Sequence, residues 1–524
     1  MKNTPRMAFT ALALLLCLNC GCLPFMGDKR ADPARDAIPD FVGDDAVIEG
    51  WRWFDITLGG RKTGYTAMLR EETIVDGAPA IRFEKITIIR AKRFGVEMAI
   101  RVVEECTTTI DYRPISIQET TIQPLSDIEV KRADFEDGLV QVSIEKGGSA
   151  RSIVREIPGE IYAGPAIFEV LAGRGPTWGD RIEIPLFSFS EPFHHTRTVE
   201  VLGHEPWPLK DRTIEVCRLG LKMDGIASQV LIDGEGEICS IESSQVLDFR
   251  MTLTDKSEAL AFESIGEILV ETAVPVNIEL PDPRQVTAMR SRLKGPGIAE
   301  RIDMERTDFA SVTPVGTDEV LIENRVLRID ELPRTRIPVN DQDLAPFLRA
   351  TVNEQCDDPE IRRTALGVID GNEDVLPALL RLNDWVHHRV ANSCAVGYAS
   401  AEHTIDSMIG DCTEHAVLLG ALAKSVGIPT RCVFGIVYHE GRFYYHAWIE
   451  AWAGIWVPVD PAWGEAPADA THIALARLVN DEGSLQAAVT RLMPLIGKLE
   501  VEVISCTADG MEVSIGPGTR EDPK

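Results

Sequence analysis

The residues best able to do chemistry together are a cysteine, a histidine and an aspartate spread over fifty positions near the C-terminus. Gly410-Asp411-Cys412-Thr413-Glu414-His415-Ala416 opens a strongly signalled helix. Asp411 is a good N-cap, and Glu414 falls where the acid of a capping box sits. Gly427 stops the helix, and Pro429 follows two residues later. In between, Ala416, Val417, Leu418, Leu419, Ala421, Leu422 and Val426 leave almost no polar face. A helix apolar nearly all round is a buried central helix. Cys412 therefore falls in the first turn, where unpaired N–H groups and the helix dipole favour a thiolate. On the helix alone, a small buried core cysteine would read the same way.

The next segments separate the two readings. Residues 431–438 read as a strand, His439-Glu440-Gly441 as a turn, 442–452 as a second strand and 455–460 as a third. Tyr444, His446, Trp448 and Glu450 share one face of the second strand. A three-residue loop, Trp452-Ala453-Gly454 with Gly454 left-handed, pairs Ala451 with Ile455 and sets His446 directly opposite Asp460. A two-residue loop would send them to opposite faces. A cysteine on a buried helix, a histidine on a strand and an orienting aspartate suit nucleophilic acyl chemistry.

Three blocks occur in order: Gly410-Asp411-Cys412 through Gly427-Ile428-Pro429-Thr430-Arg431, His446-Ala447-Trp448-Ile449-Glu450, and Trp456-Val457-Pro458-Val459-Asp460-Pro461. Together they resemble the transglutaminase-like superfamily, over residues 355–475 of the 524. The resemblance implies an α+β fold and a papain-like catalytic triad of Cys412, His446 and Asp460. His446 would hold Cys412 as thiolate, and Asp460 would fix the imidazole tautomer. The thiolate would attack an amide or ester carbonyl of a protein or peptide. Water (peptidase or amidase) or a lysine amine (crosslinking transglutaminase) would resolve the thioester. Bacterial relatives of this kind without calcium loops look more like peptidases or amidases, so hydrolysis is the preferred reading. A non-catalytic envelope binding module is the rival from another class.

His415 is read as a packing or hydrogen-bonding residue, not a second base. Tyr444, Trp448 and Trp456 either line a substrate groove or fill the core, and Cys432 is a buried small side chain. The Cys412 backbone N–H is a natural oxyanion donor. There is no Gly-rich phosphate loop, clean acidic calcium loop or zinc-spaced Cys/His cluster. No cofactor and no metal site are expected.

The rest of the chain must position these residues and place them in a compartment. It is 44% hydrophobic and 26% charged, which are globular proportions. Lys and Arg number 53 against 82 Asp and Glu, a formal charge of −29 that repels nucleic acid. Lys2 and Arg6 precede an apolar run at 7–18, too short to span a bilayer and laid out as a signal peptide. Gly21-Cys22 then resembles a bacterial lipoprotein signal, with Cys22 favoured over Cys20 for lipidation. An exported protein tethered to a membrane through lipid is expected.

The predicted organisation is a leader at 1–22, a linker at 23–45, a large antiparallel β-rich region at 46–254 and a mixed β module or connection at 255–345. A transglutaminase-like α+β domain follows at 355–475, then a C-terminal extension at 476–524. The β reading rests on alternating runs such as Val140-Gln141-Val142-Ser143-Ile144 between turn signals such as Asp76-Gly77. Within it, a helical patch is expected at 165–171 and His194-His195 on a surface loop. Helical spacing resumes at about Pro359 and runs clearly over 376–390. Export permits disulfides, and Cys217–Cys239 and Cys356–Cys394 are conceivable pairs.

Overall fold

The computed structural model describes residues 50–514, apart from 94–95, 123–127, 147–148, 158, 190–192, 210–211, 224–225, 245–247, 262–272, 281, 352, 393–399, 479–487, 489–490 and 509. The proposed leader, Cys22, the linker and Cys394 lie outside these residues. No helix among the described residues is long and apolar enough to cross a membrane. The chain divides into two units, one up to residue 267 and one from residue 268 onward.

The first unit is built on one antiparallel sheet of fourteen strands. From Arg52–Leu58 to Ser149–Glu156, each strand pairs with the next in sequence. The chain then passes to the opposite edge at Arg181–Phe187 and steps back to Phe249–Thr254. That last strand pairs with the first, with Ile56 opposite Met251 and Phe54 opposite Leu253. Period-two alternation produces one buried face: Ala133, Val140 and Val142 are buried, while Arg132 and Gln141 point to solvent. Phe187 packs edge-on against Phe135 and Phe189 beside these residues. The expected helical patch is present as Ile167–Gly173, entered through a short 3-10 turn.

Two readings in this unit need correction. His194 and His195 open the strand His194–Leu209, opposite Phe187 and Leu186, and do not lie on a loop. Pairing with an apolar strand half-buries them, and burial, with Arg197 and His194 nearby, lowers the His195 pKa to about 4. Cys217 and Cys239 are both buried and unbridged.

The second unit separates helices from sheets in the α+β manner. Pro359–Ile369, Val375–Arg389 and Ala401–Ser407 surround the central helix, Cys412–Ser425. Asp358, as N-cap, accepts from the backbone N–H groups of Glu360 and Ile361, which is why the first helix starts at its proline. Every residue of Cys412–Ser425 is buried, as its apolar circumference requires. Inside it, Lys424 pairs with Glu354, both side chains wholly enclosed. Gly420 makes room for that pair, because a Cβ there would run into the Glu354 carboxylate.

A four-stranded sheet packs on this helix in the order Trp456–Val459, Arg442–Trp452, Thr430–His439, Ile473–Leu478. A five-stranded sheet joins distant parts of the chain, since Val286–Lys294 pairs with both Glu319–Arg325 and Glu500–Ala508. Val286, Met289, Leu293, Val320 and Ile322 from this sheet share a core with Ile436, Tyr438, Phe443 and Ile473 from the other.

Candidate active site

The N-terminus of the central helix is fixed by the capping box that its sequence predicts. The Thr413 N–H donates to Asp411 Oδ1 at 2.7 Å, and the Asp411 N–H donates to Glu414 Oε2 at 2.8 Å. Cys412 is thereby held in the first helical turn, buried against Ala447, Ala462, Phe434 and Trp463. His415 is committed to the backbone, with Nδ1 2.7 Å from the Asp411 carbonyl and Nε2 3.3 Å from the Val390 carbonyl. Burial keeps its pKa below the ordinary value, in line with a hydrogen-bonding role.

His446 lies on the strand Arg442–Trp452, opposite Gly435. A Cβ at Gly435 would strike the Trp448 ring and the Ile473 carbonyl, so only glycine lets the indole lie there. The register after this strand differs from expectation. Trp452 pairs with Trp456 and Ala451 with Val457, so the connecting loop is Ala453–Ile455, with Gly454 at φ 89°. Trp452 stays in the strand because its N–H bonds the Pro429 carbonyl and its ring meets Trp456 edge-on at 5.4 Å. Both registers keep His446 and Asp460 on the same face. The real one moves Asp460 two residues along, diagonal to His446 instead of opposite it.

The side chains close that diagonal. His446 Nε2 lies 2.7 Å from Asp460 Oδ2, and both residues are fully buried. Asp460 falls just past the end of Trp456–Val459, in a tight loop closed by backbone hydrogen bonds in both directions with Glu465 at 2.9 Å. Its Oδ1 accepts from the N–H groups of Ala462 at 2.8 Å and Trp463 at 3.4 Å. Nε2 of His446 is thus committed to the carboxylate, and Nδ1 is the ring nitrogen left for the thiol. Cys412 acts on His446 through its charge, which helps raise the imidazole pKa.

Burial opposes a charge on His446, but Asp460 and Cys412 outweigh it and lift the imidazole pKa to about 10. Burial likewise opposes the Asp460 charge, and His446 and His472 overcome it, holding the carboxyl well below its usual range. Two indoles stack on the His446 ring, Trp463 at 5.0 Å and Trp448 at 6.2 Å between centroids. The Arg284 guanidinium lies over Trp463 at 3.9 Å. Trp448 is enclosed, while Trp456 is half-buried beneath Arg431 at 4.2 Å and beside Phe347. Both therefore pack; Tyr444 is half-buried, and Cys432 is buried as read.

The chain so far folds a buried thiol, an imidazole and a carboxylate together at the junction of a central helix and an antiparallel sheet. Residues 362–461 match the transglutaminase-like superfamily, and the match contains all three side chains. This region is a transglutaminase-like domain. No curated protein sequence matches the chain. Among solved structures, a candidate cysteine protease from Cytophaga hutchinsonii is 16% identical, with 45% of this chain and 90% of that chain covered at a TM-score of 0.30. A β-barrel-like protein from Brucella abortus is 14% identical over 39% of this chain and 95% of that one, at a TM-score of 0.29. A candidate protease from Parabacteroides distasonis is 11% identical over 77% and 70% respectively, at a TM-score of 0.18.

Around the transglutaminase-like core lie residues that sequence reading passed over: Arg284, Trp463, Glu465, Asp469 and His472. Ligand-type atoms of His446, Asp460 and His472 come within 4.8 Å of one another, as do those of Glu465, Asp469 and His472. Direct hydrogen bonds and ion pairs account for this closeness, and an ion at the first group would displace His446 from Asp460. The one sequence clue was a histidine twelve residues after Asp460 in a chain holding 10 histidines.

Proposed function

We propose that the chain is a cysteine-dependent acyl-transfer enzyme acting on amide bonds of proteins or peptides, with Cys412 as nucleophile. The observation that carries this reading is the buried Asp460–His446 hydrogen bond beside a thiol in the first turn of a buried helix. Asp460 keeps a proton on Nε2 and stabilises the imidazolium, so Nδ1 can take the thiol proton. The Cys412 thiolate attacks the carbonyl carbon, and a thioester forms as His446 returns the proton to the leaving amine. Water then attacks the thioester, His446 accepts its proton, and the carboxylic acid and free thiol are released.

Hydrolysis is preferred over crosslinking. An amine must outcompete water to crosslink, which requires a site that excludes water and guides a lysine. Of the three aromatic side chains considered for such a tunnel, Trp448 is enclosed and Trp456 packs against Phe347 and Arg431, which leaves the half-buried Tyr444. The leader sequence supports placing the enzyme outside the cytoplasm, tethered through lipid on Cys22.

The test is to incubate the soluble region with a peptide panel, then with a glutamine peptide and a labelled amine, comparing wild type with Cys412→Ala. Cleavage that needs Cys412 supports the hydrolase. Amine incorporation that needs Cys412 overturns the preference for hydrolysis, and neither reaction across a broad panel favours the binding module.

A further inference from the structure

The mechanism above leaves one buried histidine beside Asp460 unused. His472 directly precedes the strand Ile473–Leu478, and its Nε2 lies 3.1 Å from Asp460 Oδ2. That is the same oxygen that meets His446 Nε2 at 2.7 Å. On the other side of the ring, Nδ1 is 3.2 Å from the Asp469 carbonyl oxygen and 3.6 Å from Asp469 Oδ1. Carbonyl and carboxylate oxygens only accept, so the imidazolium form lets both ring nitrogens donate at once. Burial opposes that charge, but Asp469 and Asp460 outweigh it and lift the pKa to about 9.

His472 is itself held. The Thr471 N–H donates to Asp469 Oδ1 at 2.6 Å, and Arg284 Nη1 lies 2.6 Å from Asp469 Oδ2. Arg284 is anchored in turn by the Tyr438 carbonyl at 2.6 Å and Thr471 Oγ1 at 3.1 Å. Glu465 completes the set of charged groups around the ring. Burial and Asp469 push its pKa up to about 7 against the pull of His472 and Arg284. The charged and titratable groups facing His472 are therefore Asp460, Asp469, His446, Glu465 and Arg284.

Asp460 needs such a restraint. It lies beyond the last ladder pair of its strand, and rotation of a carboxylate about its terminal bond is broad and two-fold. Among the described residues, backbone N–H groups hold Oδ1 and the two imidazoles hold Oδ2. We propose that His472 is a positioning residue for the reaction, fixing the Asp460 carboxylate so that Oδ2 stays aimed at His446, with Asp469 and Arg284 holding His472 in place. The proposal rests on the reading of Cys412 and His446 as a working pair.

The variants His472→Leu, His472→Gln and Asp469→Asn test it without knowledge of the substrate. The readout is the rate of Cys412 alkylation by iodoacetamide as a function of pH, followed by peptide mass spectrometry. Thermal melts establish that each variant is folded. In wild type, the thiolate paired with imidazolium should react at a pH well below the ordinary thiol midpoint of about 8.5. His472→Leu frees Asp460 and weakens its hold on the His446 imidazolium. That loss disfavours the thiolate, so the rising limb should move up by roughly one pH unit. His472→Gln can still donate to Asp460 and should recover most of that shift, whereas Asp469→Asn should fall between the two.

A folded His472→Leu whose profile overlays wild type overturns the proposal, as does a Gln variant shifted as far as the Leu variant. A wild-type thiol that titrates ordinarily and ignores His446→Ala would bring down the proposed function and this role together. A low, His446-dependent midpoint with no response to His472→Leu would remove only this role.

Discussion

The two units differ in how completely they enclose their paired charges. In the fourteen-stranded sheet, many ion pairs run across neighbouring strands close to solvent, although Lys131 and Glu119 meet with side chains only 9% and 5% exposed. Arg82 reaches Glu71, Glu84 and Glu105, and its side chain is 39% exposed. The second unit has exposed pairs too, such as Arg328 with Asp330, but it also encloses several charges completely. Lys424 and Glu354 are both at 0%, as are His446 and Asp460. Glu450, also enclosed, is gripped by Arg431 and Arg477. Cross-strand pairs in high dielectric set register and solubility at small energetic gain. Enclosed charges must each have a partner, and those partners fix geometry and shift proton affinities. Complete enclosure of paired charges, more than residue type, distinguishes the unit that holds the candidate site.

The sharpest way to break this contrast is at Glu354. Glu354→Ala strands the Lys424 ammonium inside the central helix packing and should cost about 3–5 kcal/mol in urea unfolding of the second unit. The double variant Glu354→Leu with Lys424→Met should recover most of that loss, because no unpaired charge remains. A single variant as stable as wild type would show that the pair is not desolvated in solution. At the small end, Arg82→Ala in the sheet should change stability by about 1 kcal/mol or less, since its pairs are screened by water. A loss as large as that at Glu354 would erase the distinction between the units.

How much of this could be read from the sequence depended on how local the cause was. The central helix was legible because its cap, its stop and its apolar circumference all lie within twenty residues. The shared face of His446 and Asp460 was legible because strand side chains alternate with period two, which survives a shift of register by two. Their diagonal offset was not, because it turned on whether Trp452 stays in the strand, and that is decided by contacts to Pro429 and Trp456. The strand character of His194 and His195 was missed for a similar reason, since an apolar partner strand supplies it. The pairing of Val286–Lys294 with Glu500–Ala508 joins segments two hundred residues apart, and no local pattern encodes such a partner. The role of His472 was hard to read for the same reason: Asp469 lies nearby in sequence, but Arg284, which holds Asp469, comes from far away in the chain.

The central claim is that Cys412 carries the acyl group, and trapping that intermediate tests it most directly. The soluble region would be mixed with an activated acyl ester and quenched in acid, and the modified residue located by mass spectrometry. A single acyl adduct on Cys412 is expected, removable by hydroxylamine as a thioester is. The adduct should disappear in Cys412→Ala and form far more slowly in His446→Ala. An unmodified Cys412 in folded protein, or acylation as fast in His446→Ala as in wild type, would contradict it.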